Sequence, residues 1–248
     1  MAEFRMKIAG HTASVTSLFE STPQYFKAYL TEDAPEFSVT VSQEDIAFEQ
    51  ADLLAEAHRD GFKPRVFTDP FLERAAIQRA FAEFLFDHDT LLLHGSALAA
   101  DGKGYLFTAH SGTGKSTHTR YWQQLLGERM VMVNDDKPFV TLAADGVILH
   151  GSPWSGKHGL ATNICVPLQG ICFLNRGKEN VIHRIEAERG IPALRRQMHT
   201  PTDEVLLESA LSLVDKLAKT VPLWEMDCNT EPEAARVSYL AMSGRKFE

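Results

Sequence analysis

Two stretches of the 248-residue chain combine glycines with a lysine in a way that could bind phosphate. Residues 109–117 read AHSGTGKST, and residues 151–158 read GSPWSGKH. The pattern G-x-x-x-x-G-K-[S/T] binds phosphates through backbone N–H groups and a lysine, and binds Mg²⁺ through a hydroxyl. The first stretch lacks the leading glycine. The second has His158 where the hydroxyl belongs, so the pattern alone does not decide between them.

The sequence around each stretch favours the first one. Residues 104–109 (GYLFTA) predict a strand before it, and residues 115–126 predict a helix after it, closed by Gly127. The second stretch contains Pro153, which has no N–H, and the bulky Trp154, and no helical pattern follows it. We therefore predict that residues 109–117 form the phosphate site.

Two adjacent carboxylates supply the next candidate residues. Asp135 and Asp136 directly follow the apolar run 130–133, about twenty residues after Lys115. Carboxylates at the end of a buried strand suit Mg²⁺ coordination and proton abstraction from an attacking hydroxyl. The alternative is a solvated turn, because Asn-Asp-Asp-Lys-Pro is also typical of turns.

The elements that must position these residues indicate an α/β protein. Strand-like runs alternate with helical segments around the loop, which is typical of that class. Residues 91–109 predict a hairpin that turns at residues 101–104, and residues 70–87 predict a helix with Asp69 as its N-cap. We predict an N-terminal α/β region at residues 1–88, packed on a core at residues 89–248.

Composition excludes several classes of protein. A net charge of −8, from 25 Lys and Arg against 33 Asp and Glu, argues against nucleic acid as the main partner. No apolar run approaches the length of about 18–20 residues that a membrane span needs, and no signal-peptide pattern opens the chain. The spacing of three cysteines matches neither a disulfide framework nor a zinc module. We expect three buried, reduced thiols in a soluble cytoplasmic protein.

In their order and spacing, three motifs resemble the catalytic domain of HPr kinase/phosphorylase. They are HGSAL at residues 94–98, SGTGKST at 111–117 and NDD at 134–136. That superfamily also contains ATP-dependent phosphoenolpyruvate carboxykinase, and the NDDKP and G-x-PW-x-GK stretches are similar to short bacterial HPr-kinase-like proteins. The resemblance covers roughly residues 89–185. It implies a phosphoenolpyruvate-carboxykinase-like P-loop fold, with a mixed central sheet and flanking helices.

The resemblance also implies a nucleotide site that takes ATP and Mg²⁺. Lys115 would contact the β- and γ-phosphates, and the hydroxyl of Ser116 would bind Mg²⁺. The residues implied in cofactor binding are Ser111, Gly112, Thr113, Gly114, Lys115, Ser116 and Thr117, together with Lys157 of the second stretch.

Four further roles follow from the same resemblance. Asp135 would be the general base and Asp136 a metal ligand, although the two roles can be exchanged. His94 would lie beside the aspartates and orient or protonate one of them, unless it is a core histidine. Lys157 would reach the phosphate or the substrate, or else remain a solvated lysine.

The implied function is Mg²⁺-ATP-dependent transfer of a phosphoryl group to a hydroxyl, serine above all, of a protein, peptide or small metabolite. Two alternatives stay open: a nucleotide-binding regulatory protein without efficient transfer, and metabolite phosphotransfer of the carboxykinase type. The chain departs from HPr kinase at Thr117, where that family has Glu, and it lacks the E-I-R-G-x-G signature of the phosphorylase half-reaction. The acceptor, the phosphoryl donor and homo-oligomerisation are left open.

Overall fold

The structure is a computed structural model that describes residues 1–59, 61, 63–110 and 112–245. The chain divides into two compact units, Met1–Phe84 and Leu85–Glu248. In the described part of the chain, no helix has both the length and the apolar character needed to cross a bilayer.

The first unit contains a three-stranded sheet and helices. Its strands are β1 (Ala2–Ile8), β2 (His11–Ser17) and β3 (Phe37–Thr40), and its helices are α1 (Thr22–Tyr25), α2 (Gln43–Arg59) and α3 (Asp69–Phe86). β1 and β2 form an antiparallel hairpin, and β3 pairs parallel to β2. Ala9 and Gly10 both take positive φ at the hairpin turn, as a tight two-residue turn requires. Phe37 stacks on Phe84 of α3, which ties the sheet to that helix.

The second unit is built on a mixed sheet of nine strands among the described residues. The strands are β4 (Thr90–Leu92), β5 (Ser96–Ala100), β6 (Lys103–Thr108), β7 (Met130–Asn134), β8 (Phe139–Ala143), β9 (Gly146–His150), β10 (Cys165–Arg176), β11 (Val181–Ile185) and β12 (Leu223–Cys228). Their order is β4-β8-β9-β10-β6-β5-β7, and β12 pairs with both β10 and β11. β10 runs parallel to β6 and β12, whereas the other pairs of this sheet are antiparallel.

Helices cover both faces of this sheet. The second unit contains α4 (Lys115–Leu126), α5 (Ala187–Arg195), α6 (Glu204–Thr220) and α7 (Glu233–Ser243). Alternate residues of a strand point to opposite faces. Accordingly, Ala97 of β5 joins the apolar cluster that includes residues of α6, whereas its neighbour Leu98 joins the cluster that includes residues of α4 and α7. The expected α/β class, with a mixed sheet and flanking helices, is confirmed.

Two details differ from the sequence predictions. Residues 90–92 do not belong to the β5–β6 hairpin; they form β4, which pairs with β8, a strand that comes nearly fifty residues later. The thiol prediction is also wrong in part. The three cysteines are free, but Cys165 is exposed, Cys172 is buried and Cys228 lies between these extremes. Cys165 is the first residue of the long strand β10, and it is exposed there.

A buried polar cluster joins α4 to α7. The Ser238 hydroxyl donates to the carbonyl of Ala235 at 3.1 Å. Its oxygen therefore accepts from Trp122 Nε1 at 2.8 Å and from His118 Nε2 at 2.9 Å. Burial lowers the pKa of His118 to about 4, because the charged imidazolium is disfavoured away from water. The neutral ring thus fits the hydrogen bond that it donates.

We predict that His118 makes the fold sensitive to acid. The unfolded chain binds a proton at this histidine near pH 6.5, whereas the folded chain resists protonation down to about pH 4. The contribution to the free energy of unfolding is full above pH 6.5, and about 3 kcal/mol of it is lost as the pH falls toward 4. Urea unfolding of the wild type and of His118→Gln measures this. The free energy of unfolding of the wild type should exceed that of His118→Gln by less at pH 5 than at pH 7. An equal excess at both pH values would contradict the assignment.

Candidate functional site

The glycine-rich loop joins β6 to the first turn of α4. Gly112 and Gly114 have φ angles of 74° and 122°, values that L side chains rarely adopt. Ala109, which stands where the motif has glycine, is not among the residues with positive φ, so its methyl group is tolerated there. Helix α4 begins at Lys115, and the amides of its first turn lack helical partners. The loop and the helix start together can bind an anion.

The Lys115 side chain folds back across this loop. Its Nζ donates to the carbonyl oxygen of Ala109 at 3.0 Å. Burial lowers the pKa of Lys115, while the nearby charge of Asp136 opposes that shift and the charge of Lys137 adds to it. Because this ammonium group is partly desolvated and donates to a neutral carbonyl, its positive charge remains available to attract an anionic ligand.

The other predicted loop residues differ in exposure. Ser111 lies outside the described residues. Ser116 is exposed and Thr117 is half-buried on the first turn of α4. Thr113 donates its backbone N–H to the carbonyl of His110 at 3.1 Å, which closes the turn of the loop.

The two aspartates follow β7, and the buried side chain of Asn134 sets their position. Asn134 Oδ1 accepts the backbone N–H groups of Asp136 at 2.7 Å and Lys137 at 2.6 Å. Its Nδ2 donates to the carbonyls of Ser152 at 2.9 Å and Trp154 at 3.2 Å. A buried amide must pair its donors and its acceptor, so Asn134 joins the aspartate turn to the second glycine-lysine stretch.

That second stretch holds Asp135. The Gly156 N–H donates to Asp135 Oδ1 at 2.6 Å, and the Asp135 residue is 7% exposed. A Cβ at Gly151 would lie 1.9 Å from the carbonyl oxygen of Thr162, so only glycine fits at the start of this stretch. No helix begins at Lys157 within the described chain. Trp154 is buried and packs edge-on against Phe139.

His94 lies beside the second aspartate. Its Nε2 is 3.3 Å from Asp136 Oδ1, and its backbone N–H donates to the carbonyl of Gln197 at 2.7 Å. Burial, aided by the charges of Lys137 and Lys115, lowers the pKa of His94 to about 3. The imidazole is therefore neutral at pH 7, and its contact with Asp136 is not an ion pair. Gly95 is required next to it, because a Cβ there would lie 2.9 Å from the Phe107 carbonyl oxygen.

Asp136 has the electrostatic properties of a proton acceptor. Burial raises its pKa above the ordinary value, and the charge of Asp135 adds to that rise, whereas Lys137 and Lys115 oppose it. The structure thus brings His94, Lys115 and Asp136 into one electrostatic cluster. In the described residues, no hydrogen bond joins Ser116 or Lys157 to the aspartates, and Lys157 is exposed.

Sequence reasoning missed two cations of this site. Lys137 influences the pKa values of His94, Lys115 and Asp136; its position in the Asn-Asp-Asp-Lys run was the available signal. Arg176, at the end of β10, donates from Nη2 to the carbonyl oxygen of Gly112 at 2.6 Å. No local motif marks Arg176, because only the parallel pairing of β10 with β6 brings it to the loop.

We predict that Asn134→Asp destabilises the protein more than Asn134→Ala. The aspartate keeps an acceptor for the two backbone N–H groups, but it faces the Ser152 and Trp154 carbonyls with a second acceptor. Loss of these buried hydrogen bonds and the burial of an unpaired charge should cost about 2–4 kcal/mol. Urea unfolding measures the difference. A free energy of unfolding for Asn134→Asp that equals or exceeds that of Asn134→Ala would contradict the assigned hydrogen bonds.

The chain was also compared with known proteins. No protein-family model matches it, and no curated protein sequence matches it. Among solved structures, the chain is similar to the HPr(Ser) kinase/phosphatase from Coxiella burnetii. That similarity covers 62% of this chain and 99% of the other, with a TM-score of 0.36 and 13% sequence identity. The likeness is a distant one.

Proposed function

We propose that the protein is a kinase-like phosphotransferase that uses Mg²⁺-ATP to phosphorylate a hydroxyl of a protein, peptide or small metabolite. One observation carries the proposal: Lys115 lies at the start of α4, on a loop with two positive-φ glycines, and interacts electrostatically with Asp136. A phosphate-binding cation and a carboxylate of raised pKa are the two groups that in-line phosphoryl transfer needs from a protein.

The donor set fits the phosphates of a nucleotide. Backbone N–H groups at the start of α4 would bind phosphate oxygens, and Lys115 would leave the Ala109 carbonyl to contact the β- and γ-phosphates. Arg176 adds a second positive charge beside Gly112. The cations at this loop offset the net charge of −8 locally, so an acidic protein can still bind a polyanion.

The residues present also fit Mg²⁺. The Ser116 hydroxyl, exposed on the first turn of α4, and an aspartate carboxylate are the hard oxygen ligands that this ion prefers. When bound, Mg²⁺ would neutralise charge on the β- and γ-phosphate oxygens.

We assign the two aspartates different roles. These roles are the reverse of the first ones that the resemblance implies, in which Asp135 is the general base and Asp136 the metal ligand. Asp135 accepts the Gly156 N–H and is almost fully buried. We therefore assign it to Mg²⁺ coordination or to positioning of the stretch that contains Gly156. Asp136 lies beside the neutral His94 and has a raised pKa, which suits a general base. Its carboxylate takes the proton of the acceptor hydroxyl. The hydroxyl oxygen bonds to the γ-phosphorus, the bond to the bridging oxygen breaks, and ADP leaves with that electron pair.

The first test of this proposal concerns nucleotide binding. We predict that Lys115→Ala raises the Kd for Mg²⁺-ATP by about 10- to 100-fold, because it removes a charge-assisted contact to phosphate. Lys157→Ala is the matched control, since that lysine is exposed on the other glycine-lysine stretch, and it should change Kd less than threefold. Isothermal titration calorimetry measures both. If Lys157→Ala abolishes binding and Lys115→Ala does not, the phosphates bind at the other stretch.

The second test separates the aspartates. Asp136→Asn should keep nucleotide binding but lower the rate at which labelled γ-phosphate leaves ATP by about 10²–10⁴-fold, the usual contribution of a general base. In the wild type, that rate should rise with pH through a pKa above 3.8, because the carboxylate must be ionised to accept a proton. Asp135→Asn keeps an acceptor for Gly156, so it should lower the rate less at saturating Mg²⁺. The reverse order of the two variants would restore Asp135 as the base.

A further inference from the structure

A cavity of about 170 Å³ opens beside the phosphate loop, at the carboxyl-terminal parts of the parallel strands β6 and β10 and beside Glu225 of β12. Ligands of open α/β sheets commonly bind at such strand ends. Its wall includes Phe173, Ile185, Arg189, Arg196, Gln197 and Glu225. A cavity of this size has room for a small metabolite.

The cavity carries an excess of one positive charge. Glu225 is already paired, since Oε2 accepts from Arg189 Nε at 2.8 Å and Oε1 accepts from Asn175 Nδ2 at 3.0 Å. Arg196, at the end of α5, is exposed, and its guanidinium makes no ion pair or hydrogen bond within the described part of the chain. An unpaired guanidinium in a cavity wall binds a carboxylate or another planar anion through two parallel hydrogen bonds.

Apolar side chains form the wall beside Arg196. Phe173, Ile185 and Ala193 supply apolar wall between the polar groups, which suits a short aliphatic body.

The cavity adjoins the proposed transfer site on two sides. Ala109 and His110 line the cavity and also begin the phosphate loop, and the Ala109 carbonyl holds Lys115. On the other side, Gln197 lines the cavity, and its backbone carbonyl holds the N–H of His94, the neighbour of Asp136. Two residues that line the cavity, Ala109 and Gln197, therefore hydrogen-bond directly to Lys115 and His94 of the site.

We propose that this cavity binds the phosphoryl acceptor and that the acceptor is a small hydroxy acid. Arg196 binds its carboxylate, and Phe173 and Ile185 contact its aliphatic body. The transfer of the phosphoryl group to this acid rests on the proposed function. The acid's hydroxyl oxygen forms the new bond to the γ-phosphorus of ATP, ADP leaves with the electron pair of the bridging bond, and the hydroxyl proton goes to Asp136.

The experiment uses D-glycerate, L-lactate and L-serine as probes, with glycerol as the uncharged comparison. Isothermal titration calorimetry on the full chain, with and without Mg²⁺-ADP, measures binding. At least one acid should bind, and glycerol should not. Arg196→Ala should weaken that binding by about 10- to 100-fold, as expected for loss of a charge-assisted pair. Arg195→Ala is the matched control. Arg195 is the next residue along the chain, but its guanidinium is paired with Asp215 at 2.9 Å and does not line the cavity.

Transfer of labelled phosphate from ATP to the bound acid provides the second readout. Arg196→Ala should raise KM for the acid while leaving kcat and the Kd for Mg²⁺-ADP within threefold of the wild type. Three results would overturn the inference: no acid in the panel binds, binding is unchanged in Arg196→Ala, or Arg196→Ala weakens Mg²⁺-ADP instead, which would make the cavity part of the nucleotide site. Acid binding without any ATP or ADP binding would preserve the cavity assignment and reject the proposed function.

Discussion

The candidate site depends on one buried side chain, the carboxamide of Asn134. Its oxygen holds the backbone of Asp136 and Lys137, and its nitrogen holds the carbonyls of Ser152 and Trp154. A buried amide that leaves a group unpaired is costly, so the end of β7 and the path of residues 151–156 are determined together. The two adjacent carboxylates acquire different partners as a result. Asp135 meets the Gly156 N–H, and Asp136 meets His94.

Partial burial then sets the charge states of the site. It lowers the pKa values of Lys115 and His94 and raises that of Asp136, because each charged form loses contact with water. The neutral His94 leaves Asp136 without a cationic partner on that side, so the carboxylate remains available to accept a proton. Lys115 donates to a neutral carbonyl, so its charge remains available to an anion. The same desolvation strengthens any interaction made with a charged ligand.

Local sequence signals predicted the parts of the structure that local interactions determine. The helix at residues 115–126 has the predicted bounds, because glycines with positive φ stand at both of its ends. The turn at Asp101 and Gly102 likewise placed the β5–β6 hairpin. Long-range pairing was not predictable: β4 pairs with β8, and Arg176 reaches Gly112 across 64 residues of chain. The different partners of Asp135 and Asp136 also depend on a loop whose path no local pattern reveals.

The central claim is that the loop before α4, and not the stretch around Lys157, binds the phosphates of a nucleotide beside Asp136. Hydrogen–deuterium exchange with and without Mg²⁺-ADP and beryllium fluoride, which stands in for the γ-phosphate, tests this most directly. We expect slower amide exchange at residues 112–118, with a smaller effect at residues 134–137. Slower exchange confined to residues 151–159, or no change at either stretch under saturating nucleotide, would contradict it.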